Sequence, residues 1–160
     1  LKGVRAVIIF SSGFGETGEE GAKLQKQVEE MVKQSGILML GPNCVGVYNV
    51  TKGYNLTMSP TLNMLRGNIE PGEVGFITQS GAFGVALFTL AVQKGLRLSK
   101  MIHLGNKVII KDADVLEYLC NDDATKVIVM YLEDVKEGRK VLNVLKKVTQ
   151  NKPVVAVRVL

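Results

Sequence analysis

Apolar runs typical of buried strands alternate along the chain with stretches that have helical spacing. The segments at 4–10 (VRAVIIF) and 37–40 (ILML) are continuous and apolar, as expected for strands buried on both faces. Between them, apolar residues follow the i, i+4, i+7, i+8 spacing of one helix face, namely Leu24, Val28, Met31 and Val32. This pattern predicts a parallel strand–helix–strand unit with a right-handed crossover.

Local signals predict where this helix begins and ends. Thr17 and Glu20 have the spacing of a capping box, and Gly36 suits the left-handed residue that follows a last helical turn. Residues 41–72 contain three prolines, several glycines and asparagines, and little periodicity. We therefore predict a boundary or a long irregular connection there.

Strands and helices alternate again after residue 72. The predicted strands are 74–78, 97–104, 126–132 and 153–159, and the predicted helices are 81–94, 113–121 and 135–149. Strict alternation of apolar strands with helices is typical of a parallel sheet covered on both faces. The sequence therefore predicts an α/β fold.

The composition is that of an ordinary globular protein, with 46% hydrophobic residues in 160. No apolar stretch reaches the ~18 residues of a membrane-spanning helix and no signal peptide opens the chain, so we expect a cytoplasmic protein without membrane partners. The net charge of +5 is not concentrated, and its basic residues fit a solvated helix face, so nucleic acid is not an expected partner. Cys44, Cys120 and a single His suggest free thiols and no metal site.

The stretch FSSGFGETGEEG (10–21) contains G-x-G-x-x-G between a predicted strand and a predicted helix, as a dinucleotide-binding turn does. However, no acidic residue ends the next strand to hold a ribose, and Glu16 would repel a pyrophosphate at the helix N-terminus. A glycine-rich turn without a ligand is favoured over a dinucleotide site. Alternatively, Glu16 and its neighbours accept hydrogen bonds from the amide groups of a ligand.

Three further positions lie where strands end. In TQSGAFG (78–84), Ser80 is placed as a helix N-cap, and the small residues Gly81 and Ala82 leave first-turn N–H groups open to an anion, although many Ser-capped helices bind nothing. Glu133 ends the strand KVIVMYLE, at the edge where parallel sheets place ligands, and it is equally compatible with an exposed loop acid. His103 is more typical of a hydrogen-bonded residue than of a catalyst.

Six segments follow one another along the chain, namely GFGETGEEG, GPNCVGVYN, GEVGFITQSGAFG, HLGNK, EYLCNDDATKVIVMYLE and NKPVVAVR. In this order and spacing they resemble the NDP-forming acyl-CoA synthetases, that is, the ADP-forming acetyl-CoA synthetases and, more distantly, the α subunit of succinyl-CoA synthetase. The resemblance implies that residues 1–50 end a Rossmann-like CoA-binding domain. It implies a connection at 51–72 and a truncated flavodoxin-like, succinyl-CoA ligase-like domain at 73–160.

The resemblance also implies a reaction and roles for particular residues. The family interconverts acyl-CoA, NDP and phosphate with acid, CoA and NTP through an acyl phosphate and a phosphohistidine. By its motif, the helix beginning at Ser80, Gly81 and Ala82 resembles one that holds the travelling phosphoryl group, and Glu133 resembles an acid that contacts the active-site His. On the CoA side, the matching residues are Phe14 and Glu16 along the pantetheine arm and Asn43 and Cys44 near the thiol.

Some parts of the family pattern are not found in this sequence. The phosphorylated His lies in a glycine-rich loop for which the chain has no counterpart, and His103 stands where the family more often has Ser. The ATP-grasp part, a β subunit or fused domain that binds ADP or ATP with Mg²⁺, is also missing. Since the chain starts at Leu1 and stops inside a strand-like run, we expect an inactive piece of a larger, oligomeric enzyme. A CoA-ligase-like regulatory region of a protein lysine acetyltransferase and a non-catalytic CoA-sensing or assembly role are the alternatives.

Overall fold

The computed structural model describes residues 3–65 and 67–159. Its first unit is the predicted strand–helix–strand, with β1 (Ala6–Ile8), α1 (Glu19–Ser35) and β2 (Leu38–Leu40). The two strands pair in parallel, and α1 packs Val32 against Met39 of β2 and Val108. The predicted parallel unit is confirmed.

The predicted capping box at the start of α1 is wrong. The helix begins at Glu19 after Gly18, which has a φ of 103° and no side-chain cap. Thr17 ends a short 3-10 turn over Gly15–Thr17 and donates its hydroxyl to the carbonyl of Phe14 instead. The Thr17 hydroxyl therefore stabilises this turn instead of capping α1. At the other end of the helix, Gly36 adopts the predicted left-handed conformation.

The remaining elements form a second sheet and its covering helices. They are β3 (Gly46–Asn49), β4 (Tyr54–Thr57), α2 (Pro60–Met64), β5 (Val74–Thr78), α3 (Gly81–Gln93), β6 (Leu98–His103), α4 (Asp112–Cys120), β7 (Val127–Leu132), α5 (Gly138–Val148) and β8 (Val154–Arg158). The strand order is β4-β3-β6-β5-β7-β8, and β6, β5, β7 and β8 run parallel as predicted.

The prediction of an irregular connection over 41–72 is wrong for much of that segment. β3 and β4 form an antiparallel pair, and β3 also pairs antiparallel with β6, which makes the sheet mixed. β3 thus lies in the second sheet although it belongs to the range 1–50 that the resemblance gives to a first domain. The division of the chain into domains stays a prediction.

Neighbouring strand residues point to opposite faces of the second sheet and enter separate cores. Ile77 and Ile102 pack with α4 and α5 on one face, and Phe76 and Met101 pack with Phe88 of α3 on the other. Both faces are therefore covered, as the apolar strands predict. No helix among the described residues has the length and apolar character needed to cross a bilayer.

Candidate functional site

The glycine-rich turn before α1 is closed by its own carboxylate. Glu16 Oε1 accepts hydrogen bonds from the backbone N–H groups of Gly13 at 2.7 Å and Phe14 at 3.2 Å. Burial raises the pKa of Glu16, but the hydrogen bonds from Asn106 and from the turn backbone together lower it by more, so that the pKa lies below its usual value. The N–H groups that would hold a pyrophosphate already bind an anion, which supports the preference against a dinucleotide site.

Asn106 connects this turn with the GPNC segment. Its side-chain N–H groups donate to Glu16 Oε2 at 2.5 Å and Gln25 Oε1 at 2.9 Å, and its oxygen accepts from Asn43 Nδ2 at 3.2 Å. Gly105 makes this approach possible, because a Cβ there would lie 2.2 Å from the carbonyl oxygen of Pro42. One asparagine thus fixes the relative position of two motifs that are distant in sequence.

The N-terminus of α3 has the predicted cap. Ser80 Oγ accepts a hydrogen bond from the N–H of Phe83 at 3.4 Å, and the Ser80 carbonyl accepts from Thr78 Oγ1 at 2.9 Å. Within residues 3–65 and 67–159, the N–H groups of Gly81 and Ala82 have no acceptor. Two donors at the positive end of a 13-residue helix are therefore free to bind an anion.

A cavity of about 620 Å³ brings most of the sequence-predicted residues together at the carboxyl edge of the second sheet. Its lining includes Asn43, Cys44, Ser80, Gly81, Ala82 and Glu133. Glu133 also lines a neighbouring cavity of about 480 Å³, which contains Glu16. The two cavities therefore share Glu133 as part of their common wall.

Glu133 follows β7 and presents an exposed carboxylate to both cavities. Its backbone N–H donates to Gln79 Oε1 at 2.7 Å, whereas its carboxylate has no hydrogen bond or ion pair with any residue that the structure describes. The backbone is fixed and the side chain is free. This arrangement suits a carboxylate that receives its partner from another molecule or segment.

Cys44 and Phe14 are less accessible than their predicted roles imply. Burial raises the pKa of the Cys44 thiol to about 11, and Sγ donates weakly to the carbonyl of Ile9 at 3.4 Å. Phe14 is buried and lines neither cavity. Cys44 is therefore a protonated wall residue, and the proposed contact of Phe14 with a ligand stays a prediction.

Sequence reasoning missed Gln79, Asn106 and Lys107. Each is a polar residue inside a quoted motif, TQSG or HLGNK, and Gln79 and Lys107 are buried. A polar residue next to the end of an apolar strand is the local signal that could have suggested them. Their partners lie far away in sequence, so the signal could not have given their contacts.

Comparison with known proteins relates the chain to one enzyme group. The sequence model of the family described as succinyl-CoA ligase like flavodoxin domain matches residues 71–159. The chain is 41% identical over 157 residues to the acetate–CoA ligase [ADP-forming] I subunit alpha of Pyrococcus furiosus, covering 98% of the chain and 33% of that protein. It is 38% identical to the 4-hydroxybutyrate–CoA ligase [ADP-forming] of Nitrosopumilus maritimus, covering 98% and 22%.

A solved structure has the same fold. It is the Ca. Korarchaeum cryptofilum dinucleotide forming acetyl-coenzyme A synthetase 1 in complex with phosphate and ADP. The TM-score is 0.88 at 31% identity, covering 98% of this chain and 32% of that one. These similarities confirm the predicted α/β class, the flavodoxin-like second part and the resemblance to ADP-forming acyl-CoA ligases. The chain spans about a third or less of the length of these relatives.

Proposed function

The chain belongs to the family of succinyl-CoA ligase-like flavodoxin domains, and on this basis we propose that it is part of an acid–thiol ligase. The reaction is the reversible conversion of acyl-CoA, ADP and phosphate into a carboxylic acid, CoA and ATP. Relatives named as acetate–CoA and 4-hydroxybutyrate–CoA ligases support a carboxylic acid as the substrate class. This conversion requires no oxidant, reductant or further reactant.

The observation that carries this proposal is the shared cavity at the carboxyl edge. It combines two free N–H groups, from Gly81 and Ala82, with the unpaired carboxylate of Glu133. A helix N-terminus binds phosphate through such N–H groups and through its dipole. A carboxylate beside it would repel a phosphoryl group unless a cation lies between them, and an imidazolium ring supplies that cation.

Glu133 then has a defined chemical role. It accepts a hydrogen bond from one ring nitrogen of a histidine that comes from outside this chain, so that the other nitrogen is free to attack phosphorus. The carboxylate also stabilises the ring when it becomes cationic. The helix terminus holds the phosphoryl oxygens during transfer between the acyl phosphate and that histidine.

The residues near Glu16 and Asn43 fit CoA, which supplies the thiol that accepts or releases the acyl group. Glu16 accepts hydrogen bonds from Gly13, Phe14 and Asn106, so its carboxylate is held in one position at the wall of the second cavity. Cys44 has a pKa of about 11 and stays protonated, so it does not compete with the CoA thiol for the acyl group. Phe14, Glu16, Asn43 and Cys44 are the residues proposed to lie along CoA.

The remaining components of the enzyme are part of the same proposal. An ATP-grasp β subunit or fused domain binds ADP or ATP with Mg²⁺, and the assembled enzyme is an oligomer. We place it in the cytoplasm, where Cys44 and Cys120, which form no disulfide with each other, stay reduced.

The experiment uses the full-length protein that contains this chain, with its partner subunit where there is one. ATP formation is measured from ADP, phosphate and either acetyl-CoA or 4-hydroxybutyryl-CoA, and the protein is tested for acid-labile phosphate. We expect both ATP formation and acid-labile labelling. A pure, folded protein that forms neither ATP nor phosphoenzyme with these substrates, and instead acetylates a protein lysine, would refute the ligase and support the acetyltransferase alternative.

A further inference from the structure

Gln79 joins the loop after β7 to the N-terminus of α3. It lies between Thr78, the last residue of β5, and the cap residue Ser80, and its side chain is largely buried with 8% exposed. Its Oε1 accepts the backbone N–H groups of Glu133 at 2.7 Å and Asp134 at 2.9 Å. One side-chain oxygen therefore holds two successive residues of the loop that contains Glu133.

The orientation of the Gln79 amide is fixed by Asp112. Nε2 donates to Asp112 Oδ1 at 2.8 Å and to the carbonyl of Asp134 at 2.8 Å. Asp112 as a carboxylate only accepts hydrogen bonds, and the N–H groups of Glu133 and Asp134 only donate. A flipped amide would place its own N–H groups against the N–H groups of Glu133 and Asp134, and its oxygen against the carboxylate of Asp112. A single orientation of the amide is therefore stable.

Lys107 holds Asp112 in place from the other side. It is 3% exposed and donates from Nζ to Asp112 Oδ2 at 3.1 Å, to the Asp134 carbonyl at 2.9 Å and to the Asp134 carboxylate. Asp112, at the start of α4, is 2% exposed. The buried charge is thus paired, and every hydrogen-bonding atom of the Gln79 amide has a partner.

We propose that Gln79 is a positioning residue that holds Glu133 at a fixed place relative to the anion-binding end of α3. Gln79 is covalently linked to the cap residue Ser80 and is hydrogen-bonded to the backbone of Glu133. The Gln79 side chain therefore helps to set the position of the Glu133 backbone relative to the N–H groups of the helix, together with Lys107, which holds Asp134. This inference rests on the proposed function, because it assigns Gln79 to the same phosphoryl-transfer site.

The test replaces Gln79 by Met in the full-length enzyme, which keeps the length of the side chain and removes its polar atoms. We expect the rate constant for phosphoenzyme formation to fall by about 10²-fold, the scale of a catalytic group displaced by about 1 Å, with KM for CoA and phosphate unchanged. Gln93→Met is the matched control, because Gln93 is the exposed last residue of α3 and its side chain has no hydrogen bond with any residue that the structure describes. The control should retain the wild-type rate.

A second measurement separates positioning from general stability. In a Glu133→Gln background, Gln79→Met should cause little further loss of rate, because Gln79 acts through Glu133. If Gln79→Met slows phosphorylation equally in both backgrounds, or not at all in the wild type, the inference is wrong. If Gln79→Met does not fold, Asp112→Asn replaces it in the test. This variant keeps the shape of the side chain but removes the charge that orients the Gln79 amide, and we expect its effect on the rate to depend on Glu133 in the same way. An effect that does not depend on Glu133 would equally refute the inference.

Hydrogen exchange followed by mass spectrometry provides a measurement that does not need activity. The peptide containing Glu133 and Asp134 should exchange faster in Gln79→Met than in wild type and in Gln93→Met. If wild type forms no phosphoenzyme but this exchange difference is seen, the proposed function fails, whereas the positioning of Glu133 by Gln79 is supported. Unchanged exchange at Glu133 and Asp134 refutes that positioning whatever the activity.

Discussion

The ring nitrogen Nδ1 of His103 accepts a hydrogen bond from the backbone N–H of Val45 across 2.6 Å. Because Nδ1 accepts, the ring proton must lie on Nε2, which is 2.8 Å from the carbonyl oxygen of Gln79 and donates to it. Burial lowers the pKa of His103, and the hydrogen bond to Gln79 opposes this shift only in part. The neutral histidine at the end of β6 is therefore hydrogen-bonded both to the residue before β3 and to the residue after β5.

The burial of neutral His103 predicts that the stability of the protein depends on pH. In the unfolded chain His103 titrates near its usual pKa of 6.5, whereas in the folded chain the pKa is lower. The unfolded state therefore binds a proton first as the pH falls, so the contribution is complete above about pH 6.5 and is lost progressively below it. Urea unfolding between pH 8 and pH 5 should show this loss in wild type.

The control for this pH dependence is His103→Asn, which keeps an acceptor near the position of Nδ1 but does not titrate. Its free energy of unfolding should vary less over the same interval. His103 is the only histidine in the sequence, which makes the difference between the two profiles specific. Parallel profiles for the two proteins would contradict the assignment of a neutral, buried ring.

The same geometry predicts that His103 is not the phosphorylated residue. Both ring nitrogens are occupied by backbone groups, and neither can attack phosphorus without breaking a buried hydrogen bond. In the full-length enzyme, His103→Ser should still take up acid-labile phosphate from ATP. Loss of labelling in a variant with a native circular dichroism spectrum would show that His103 is the nucleophile.

The parts of the fold that the sequence predicted are those governed by local pattern. Continuous apolar runs gave the parallel strands, and Ser80 before a run of small and apolar residues gave the start of α3. The hairpin of β3 and β4 was missed because its segments GVYN and YNLT are short, rich in asparagine and glycine, and lack a clear alternation. Pairing with β6 stabilises β3, and that partner lies about 50 residues away in the chain.

The candidate site shows the same division between local and distant information. Ser80, Gly81, Ala82 and Glu133 could be found because strand ends and helix starts are visible in sequence. Asp112 directly precedes the predicted helix at 113–121, but its burial beside Lys107 depends on contacts that only the folded chain creates. Buried polar networks satisfy their hydrogen bonds across distant segments, so no spacing rule predicts them.

The packing of α3 on β5 predicts that Gly84→Ala destabilises the protein. An added Cβ would lie 2.6 Å from Thr78 Cγ2 and 2.8 Å from Thr78 Oγ1, and Thr78 is fully buried. We expect a loss of about 1–3 kcal/mol in the free energy of unfolding, the usual cost of overpacking. Gly138→Ala is the control, because its Cβ would meet nothing closer than 4.0 Å and alanine favours a helix. Equal stabilities of the two variants would argue against close contact between α3 and β5.

A buried ion pair on β6 gives a second prediction for stability. Lys100 is 1% exposed, pairs with Asp122 through its ammonium group, and lies 5.5 Å from the ring centroid of Tyr118. Asp122→Asn leaves this charge without its carboxylate and should cost about 3–5 kcal/mol. Asp123→Asn, at the exposed neighbouring position, should change stability by less than about 0.5 kcal/mol. Guanidinium unfolding of both variants measures the difference in their free energies of unfolding. Similar midpoints would mean that Lys100 is not a buried, charged side chain.

The last prediction concerns the chemical role of Glu133. Its carboxylate faces both cavities and has no partner among residues 3–65 and 67–159, so replacing it by Gln removes charge without breaking an internal contact. If it orients and stabilises a histidine during phosphoryl transfer, Glu133→Gln should slow phosphoenzyme formation in the full-length enzyme by ~10²-fold or more. CoA affinity should stay the same, because Glu16 and Asn43 are unaffected. Glu30→Gln, an exposed change on α1, is the control. Rapid-quench measurements that give Glu133→Gln and Glu30→Gln the same phosphorylation rate would leave Glu133 as a loop acid without a catalytic role.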